Sequence, residues 1–274
     1  SRPRNSRRHL FRRRTRPRTL LKRSARSIVS ETLLFPMETK RRVLVTGAAK
    51  RIGRVIAIEL AKRGFAVAIH YNQSRAEAEQ VSKECGGAPI FQADLGQVEQ
   101  IRGMFRELQD RWGRLHCLVN NAARFTEFDP LNITETDWDF IHDINLKGTF
   151  FCCQEGAKQM LAEGGGGRIV NISSLGGIRP WAEHAHYCAS KAGLIMLTKA
   201  LSKAWAPRIT VNSVAPGVIA FNDVDARVQR MIDATPMKRP GTPEEIADAV
   251  HFFLTGPDFV TGQTLAVDGG LNDR

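Results

Sequence analysis

The chain has 274 residues, 42% hydrophobic and 25% charged, which is the balance of an ordinary soluble globular protein and enough chain for one large α/β domain or two small ones. Its net charge of +12 is concentrated at one end: residues 1–36 hold eleven Arg and one Lys against Glu31 alone, so the other 238 residues carry only +1 and give the folded part no basic surface for nucleic acid. The cysteines at 85, 117, 152, 153 and 188 form no C-x-x-C pair and no metal-ligand spacing with His, and no apolar run approaches the roughly 18 residues of a membrane span, so no metal site and no membrane segment is expected.

Residues 1–36 are rich in Arg and Ser, almost free of acids and without an apolar block long enough for a signal peptide. Three readings compete: translated sequence upstream of a start at Met37, an organellar transit peptide, or a disordered arm for nucleic acid or anionic membrane. The first is preferred because globular patterning begins within a few residues of Met37. The expected organisation is therefore a basic segment at 1–36 and a single domain at 37–274, cytoplasmic unless the segment is a genuine transit peptide.

From Arg41 the pattern changes to RRVLV, a short buried strand, then a tight turn and an amphipathic helix ending at Gly64. FAVAIH predicts a second strand and SRAEAEQVSKEC a second helix; the strand PIFQADL, the helix QVEQIRGMFRELQDRW and the strand LHCLVNNAA follow. A long helix around TDWDFIHDINLKGTFFCCQEGAKQML leads to the strand RIVNIS. After another long helix come the strand RITVNSVAP, the helix PEEIADAVHFFL and the strand QTLAVDGG. Strict alternation of strand and helix requires parallel strands with helical crossovers, so the expected fold is a single α/β Rossmann domain with a doubly wound seven-stranded sheet.

In HYCASKAGLIMLTKALSKAW the apolar residues recur at helical spacing, which puts Tyr187 and Lys191 on one helix face. A free phenol titrates near pH ~10, and an ammonium beside it favours phenolate, lowering the value toward the range of a general acid or base. Ser174 ends the strand before that helix, where its hydroxyl suits a substrate carbonyl. Taken alone, Tyr-x-x-x-Lys also fits a packing tyrosine and a solvated lysine.

The turn TGAAKRIG, Thr46 to Gly53, joins the first strand to the first helix and aims backbone N–H groups and the helix dipole at whatever sits above it. Gly47 allows the bend and Gly53 a close approach. This turn, Asp94 in QADL, NNA at Asn120 to Ala122, Asn145 in the long helix, NISS, Tyr187-x-x-x-Lys191, Pro216-Gly217 and VTGQTLAVDGG together resemble the short-chain dehydrogenase/reductase family over Arg41 to Gly270. Ser174 precedes Tyr187 by thirteen residues, as in that family.

The resemblance implies that Tyr187 protonates a carbonyl receiving hydride and Lys191 holds the cofactor ribose and lowers the tyrosine pKa. Ser174 would polarise the carbonyl, and Asn145 would hold a water linking Lys191 to solvent. It further implies a cofactor site built from Gly47, Lys50, Arg51, Ile52, Gly53, His70, Tyr71, Asn72, Ser74, Asp94, Leu95, Asn121, Ala122, Tyr187, Lys191, Pro216, Gly217 and Val218. Ser174, Phe125, Tyr187 and Phe221 would meet the substrate.

Most family members carry glycine at Arg51; the form TGAAKRIG followed by HYNQS resembles the pteridine reductases, in which Phe125 would take the pterin-stacking position. Those enzymes have an aspartate at Ser174, whereas serine, with the tail MKRPGTPEEIADAVHFFL, resembles the 3-oxoacyl-carrier-protein reductases. His70-Tyr71-Asn72-Gln73-Ser74-Arg75 offers no carboxylate for a ribose 2′-hydroxyl, and Lys50 and Arg51 suit phosphate, so NADPH is the expected cofactor.

The expectation is an NADPH-dependent carbonyl reductase, with a pteridine reductase and a non-catalytic NADP(H)-binding regulator as alternatives. Its substrate would be a small carbonyl or pterin, and family resemblance implies a homotetramer or homodimer through the long helices. Ile219 to Arg239 corresponds to the family's substrate lid, where Phe221, Val228 and Met231 would line the pocket or form the apolar face of a small helix.

Overall fold

The computed structural model describes residues 40–221 and 225–273, so the basic segment 1–36 and Met37 lie outside the described residues. Seven strands are present among the described residues: β1 Arg42–Val45, β2 Ala66–Tyr71, β3 Ile90–Gln92, β4 Cys117–Asn120, β5 Gly167–Ile172, β6 Ile209–Pro216 and β7 Thr264–Val267. They form one sheet in the order β3-β2-β1-β4-β5-β6-β7, and every pairing is parallel. The helices are α1 Arg51–Lys62, α2 Arg75–Glu84, α3 Val98–Trp112, α4 Glu135–His142, α5 Thr149–Leu161, α6 Ala185–Trp205, α7 Ala226–Ala234 and α8 Pro243–Thr255.

Parallel strands need helical crossovers, and crossovers bury both faces of a sheet. Side chains alternate along β1 accordingly: Val43 and Val45 enter one apolar cluster with Ile56 and Leu60 of α1 and Val250 and Phe253 of α8. Leu44 enters the other, with Ile101 and Phe105 of α3, Met160 of α5 and Leu201 of α6. The chain moves outward from β1 to β2 and β3, then returns to pair β4 against β1, which leaves a crevice beyond the strand ends at that reversal.

One element differs from the sequence reading. The helix expected around TDWDFIHDINLKGTFFCCQEGAKQML is interrupted by a π-helical segment, Asp143–Gly148, between α4 and α5. Residues 226–234 of the predicted lid form α7, while 222–224 lie outside the described residues.

Candidate active site

At the reversal, the turn after β1 and the segment after β4 are laced together. Thr46 donates its N–H to Val119 O at 2.9 Å, and its hydroxyl accepts from the N–H groups of Asn121 and Ala122 at 2.9 and 3.0 Å. The Asn121 amide donates back to the carbonyls of Thr46 and Gly47, at 2.9 and 3.2 Å. Gly47 lies at φ +62°, and a Cβ there would stand 2.9 Å from Ala122 Cα; one on Gly53 would stand 2.3 Å from both Asn121 Nδ2 and Gly47 O. Both glycines are required by close approach, and Gly47 by its left-handed backbone as well.

Arg51 opens α1 at φ +52°, the left-handed region in which glycine is at ease and other residues are strained. Its guanidinium sits 5.9 Å from the centre of the Phe221 ring, across the cleft. Lys50, the N-cap of α1, caps no backbone group with its side chain, and the first turn holds no acid. The helix therefore presents uncapped N–H donors and two cations, an arrangement suited to phosphate. Lys50 pairs with Glu77 at 2.8 Å; both side chains are about half exposed, so the pair is weak and readily exchanged for an anion.

On the opposite wall, Ser174 follows β5 and accepts the Gly176 N–H at 3.0 Å. Tyr187 and Lys191 project from α6, as the four-residue spacing predicts. Lys191 is 2% exposed, donates to Ile172 O at 2.9 Å, and stands 5.9 Å from the centre of the Tyr187 ring.

The sequence predicts a phenol made more acidic by this ammonium, whereas burial of the two groups acts in the opposite direction. Burial pushes Tyr187 up to about 12, with a hydrogen bond to Ser174 opposing the rise, and burial pulls Lys191 down to about 8. Desolvation dominates both because the groups are enclosed, and the ammonium is directed at a backbone carbonyl. Tyr187 is thus fully protonated at neutral pH, ready to donate.

Asn145, fully buried in the π segment, accepts from Arg124 N–H at 2.8 Å and donates to Arg124 O at 2.9 Å and Ser190 Oγ at 3.2 Å. Both its N–H bonds and one lone pair serve protein groups, which leaves a single carbonyl lone pair for the expected water. Its place in the structure is a brace between the loop after β4 and α6.

A cleft of about 560 Å³ unites these walls. Ser174, Tyr187, Lys191, Phe125 and Phe221 line it, as do Gly47, Lys50, Arg51, Ile52 and Gly53 of the turn. His70, Asn72, Leu95, Asn121, Ala122, Pro216 and Gly217 complete the predicted residues found there. Besides Asn145, four predicted residues do not line it. Tyr71 packs in the apolar core, and Ser74 stands at the N-cap of α2. The Asp94 carboxylate accepts the Gly96 N–H at 2.9 Å, and the Val218 carbonyl accepts the Gly241 N–H.

Trp181 is a lining residue that sequence reasoning missed; its ring lies parallel to that of Tyr187 at 6.2 Å. Phe125 meets Tyr187 edge-on at 4.8 Å and stacks on His184 at 4.6 Å. His184 and His186 pin the loop carrying Phe125, through Thr126 O at 2.8 Å and Thr126 Oγ1 at 2.7 Å. The signal was the aromatic and histidine content of WAEHAHY, immediately before Tyr187. A second cavity, of about 630 Å³, shares Phe125 and Trp181 with the cleft and is lined by Val228 and Met231 of α7. Among the described residues no group of three or more His, Cys, Asp or Glu is placed to hold a metal ion.

A doubly wound parallel sheet with a cleft beyond the strand ends at its reversal is the architecture of Rossmann-type nucleotide-binding domains. The profile of a family described as "Enoyl-(Acyl carrier protein) reductase" matches residues 47–272. A 3-oxoacyl-[acyl-carrier-protein] reductase FabG of Staphylococcus aureus is 37% identical over 245 residues, covering 86% of this chain and 99% of that protein. The 3-oxoacyl-[acyl-carrier-protein] reductase of Synechocystis is 36% identical, covering 85% and 97%. A gluconate 5-dehydrogenase from Burkholderia cenocepacia, solved in complex with NADP and tartrate, superposes with a TM-score of 0.80 at 32% identity, covering 85% and 96%. An acetoin dehydrogenase from Enterobacter cloacae gives 0.79 at 33%, with the same coverage. The chain belongs to the short-chain dehydrogenase/reductase family, as an oxidoreductase acting on a carbonyl/alcohol pair.

Proposed function

We propose that the protein is an NADPH-dependent reductase of 3-oxoacyl thioesters or closely related carbonyl compounds, with Tyr187 as proton donor. The observation that carries this reading is one cleft holding both the Ser174, Tyr187 and Lys191 side chains and the uncapped, cationic N-terminus of α1. A dinucleotide held by the turn after β1 and by Lys191 would supply the hydride that the carbonyl carbon takes up. Ser174 holds the carbonyl oxygen by a hydrogen bond, and Tyr187 delivers its proton to that oxygen, giving the alcohol. Lys191 would support the phenolate left behind and would hold the ribose of a bound dinucleotide. Lys50, Arg51 and the absence of a carboxylate lining the cleft at the end of β2 support NADPH over NADH. The relatives' names support the thioester, and the adjoining 630 Å³ cavity gives room for an extended acyl arm.

One observation favours a pterin substrate instead: Phe125, 57% exposed, presents an aromatic face at the cleft. The deciding assay follows NADPH oxidation with a 3-oxoacyl thioester against dihydrobiopterin, alongside titration of NADPH and NADH. Turnover of the thioester and at least tenfold tighter NADPH binding are expected. Turnover of dihydrobiopterin alone refutes the substrate assignment, and equal affinities refute the cofactor assignment. The reading includes a homodimer or homotetramer through α5 and α6, whose exposed apolar residues include Met196.

A further inference from the structure

We infer that His70 is the positioning residue of the phosphate turn: its imidazole, wedged between Gly47 and Ala93, fixes where the turn's remaining N–H donors stand and hence how tightly a dinucleotide pyrophosphate is held. The inference rests on the reading of the cleft as a dinucleotide site.

His70 is 2% exposed near the end of β2. Its Nδ1 accepts the Gly47 N–H at 3.0 Å, and its Nε2 faces Ala93 O at 3.0 Å. An amide N–H only donates and a carbonyl only accepts, so the two partners together select one form of the ring: neutral, bare at Nδ1 and protonated at Nε2. The backbone carbonyl of the same residue accepts the Ala48 N–H at 2.9 Å. One residue therefore occupies two consecutive donors of the turn, with its ring and with its main chain. Donors further along, at the uncapped start of α1, are the ones left for an anion.

The ring also ties together three segments that converge on the cleft. Gly47 belongs to the turn after β1 and His70 to β2, while Ala93 begins the connection after β3 that supplies Leu95 to the cleft wall. A buried neutral side chain bonded at both ends has a single orientation, because rotation leaves two buried backbone groups without partners. The turn is held in shape before any ligand arrives, and a preorganised anion site binds more tightly than one that must be ordered on binding.

The two ring nitrogens can be tested separately. In His70→Asn the side-chain oxygen stands near the position of Nδ1 and accepts the Gly47 N–H, while the bond to Ala93 is lost. In His70→Gln the longer amide reaches Ala93 O and leaves Gly47 N–H without its acceptor. Dissociation constants for NADPH and NADH are read by fluorescence titration, and thermal unfolding is followed without nucleotide. The expected result is affinity within about threefold of wild type for His70→Asn and at least tenfold weaker for His70→Gln. The loss is equal for NADPH and NADH, since both carry the pyrophosphate, and the two variants have similar melting temperatures.

Affinities that simply follow the melting temperatures, or a loss confined to NADPH, overturn the inference. Wild-type protein that binds neither dinucleotide overturns the cofactor reading and this inference with it; wild-type binding with unimpaired His70→Gln overturns only the inference. Should His70→Gln not fold, amide exchange in the wild-type protein decides. Gly47 N–H is expected to be protected without nucleotide and unchanged by NADPH, while the amides of Arg51 and Ile52 slow on binding. A Gly47 amide that responds as they do refutes the assignment.

Discussion

Replacing Arg51 separates the strain of the phosphate turn from its affinity. At φ +52° a residue with a Cβ is destabilised by about 1–2 kcal/mol relative to right-handed backbone, and glycine escapes that cost at an entropic penalty of about 0.5–1 kcal/mol. The exposed stacking on Phe221 adds about 0.5–1 kcal/mol to the wild type. Arg51→Gly thus gains on one count and loses on two, for a net change within about 1 kcal/mol, or about 2–4 °C in melting temperature. Arg51→Ala keeps the strained backbone and loses the same stacking, so it melts below Arg51→Gly by a similar interval. On the proposed reading both variants lose a charge-assisted contact to phosphate of about 1.5–3 kcal/mol, which should weaken NADPH binding roughly 10- to 100-fold. Calorimetry of the two variants with NADPH titration of each checks both halves. Equal melting temperatures refute the strain argument; NADPH affinity within threefold of wild type in Arg51→Gly refutes the phosphate contact.

Tyr187→Phe removes the proposed proton donor while leaving the buried ring and its aromatic neighbours in place, so turnover should fall about 10²- to 10⁴-fold. Single-turnover kinetics with an accepted carbonyl substrate check this, and undiminished turnover refutes the role. A pH dependence of stability follows from His70, whose pKa burial pulls down to about 4 against the opposing pull of Ala93 O and Asp94. Its unfolded form binds a proton below about 6.5 and its folded form only below about 4, so the stabilisation is complete above 6.5 and lost as pH falls toward 4. Its size is about 3 kcal/mol. Denaturant unfolding at pH 7 and pH 4.5 should show wild type losing more stability than His70→Asn; identical losses refute the coupling.

Much of this architecture is legible in the sequence because parallel strands buried on both faces read as short β-branched runs, and all seven appear where those runs stand. Tyr187 and Lys191 are legible from helix geometry alone. The π segment is not, since Asp143–Gly148 contains no proline and its apolar residues continue the helical period on either side. What distinguishes it is tertiary: the Asn145 amide must reach both Arg124 and Ser190. Tyr71 fails for a reason the sequence does contain. Consecutive strand residues face opposite sides, so with His70 directed at the turn, Tyr71 is committed to the apolar core beside Val67 and Ile69. Asp94 and Val218 lie outside the cleft: the Asp94 carboxylate closes a local turn onto Gly96 and the Val218 carbonyl is held by the distant Gly241 N–H, which motif order does not reveal.

Relatives named for an oxoacyl thioester, a sugar acid and a small hydroxyketone share this fold at 32–37% identity. A common sheet and phosphate turn cannot separate such substrates, so selectivity belongs to the segments hung on them. Here those are the loop carrying Phe125, the WAEHAHY stretch and α7. Arg227 of α7 bonds to His184 Nε2 at 2.9 Å and pairs with Glu127 and with Glu183, joining all three. All four of these groups line the 630 Å³ cavity, so that part of its wall carries a guanidinium between two carboxylates and an imidazole, and charge on a substrate is felt there as it is not at the apolar walls.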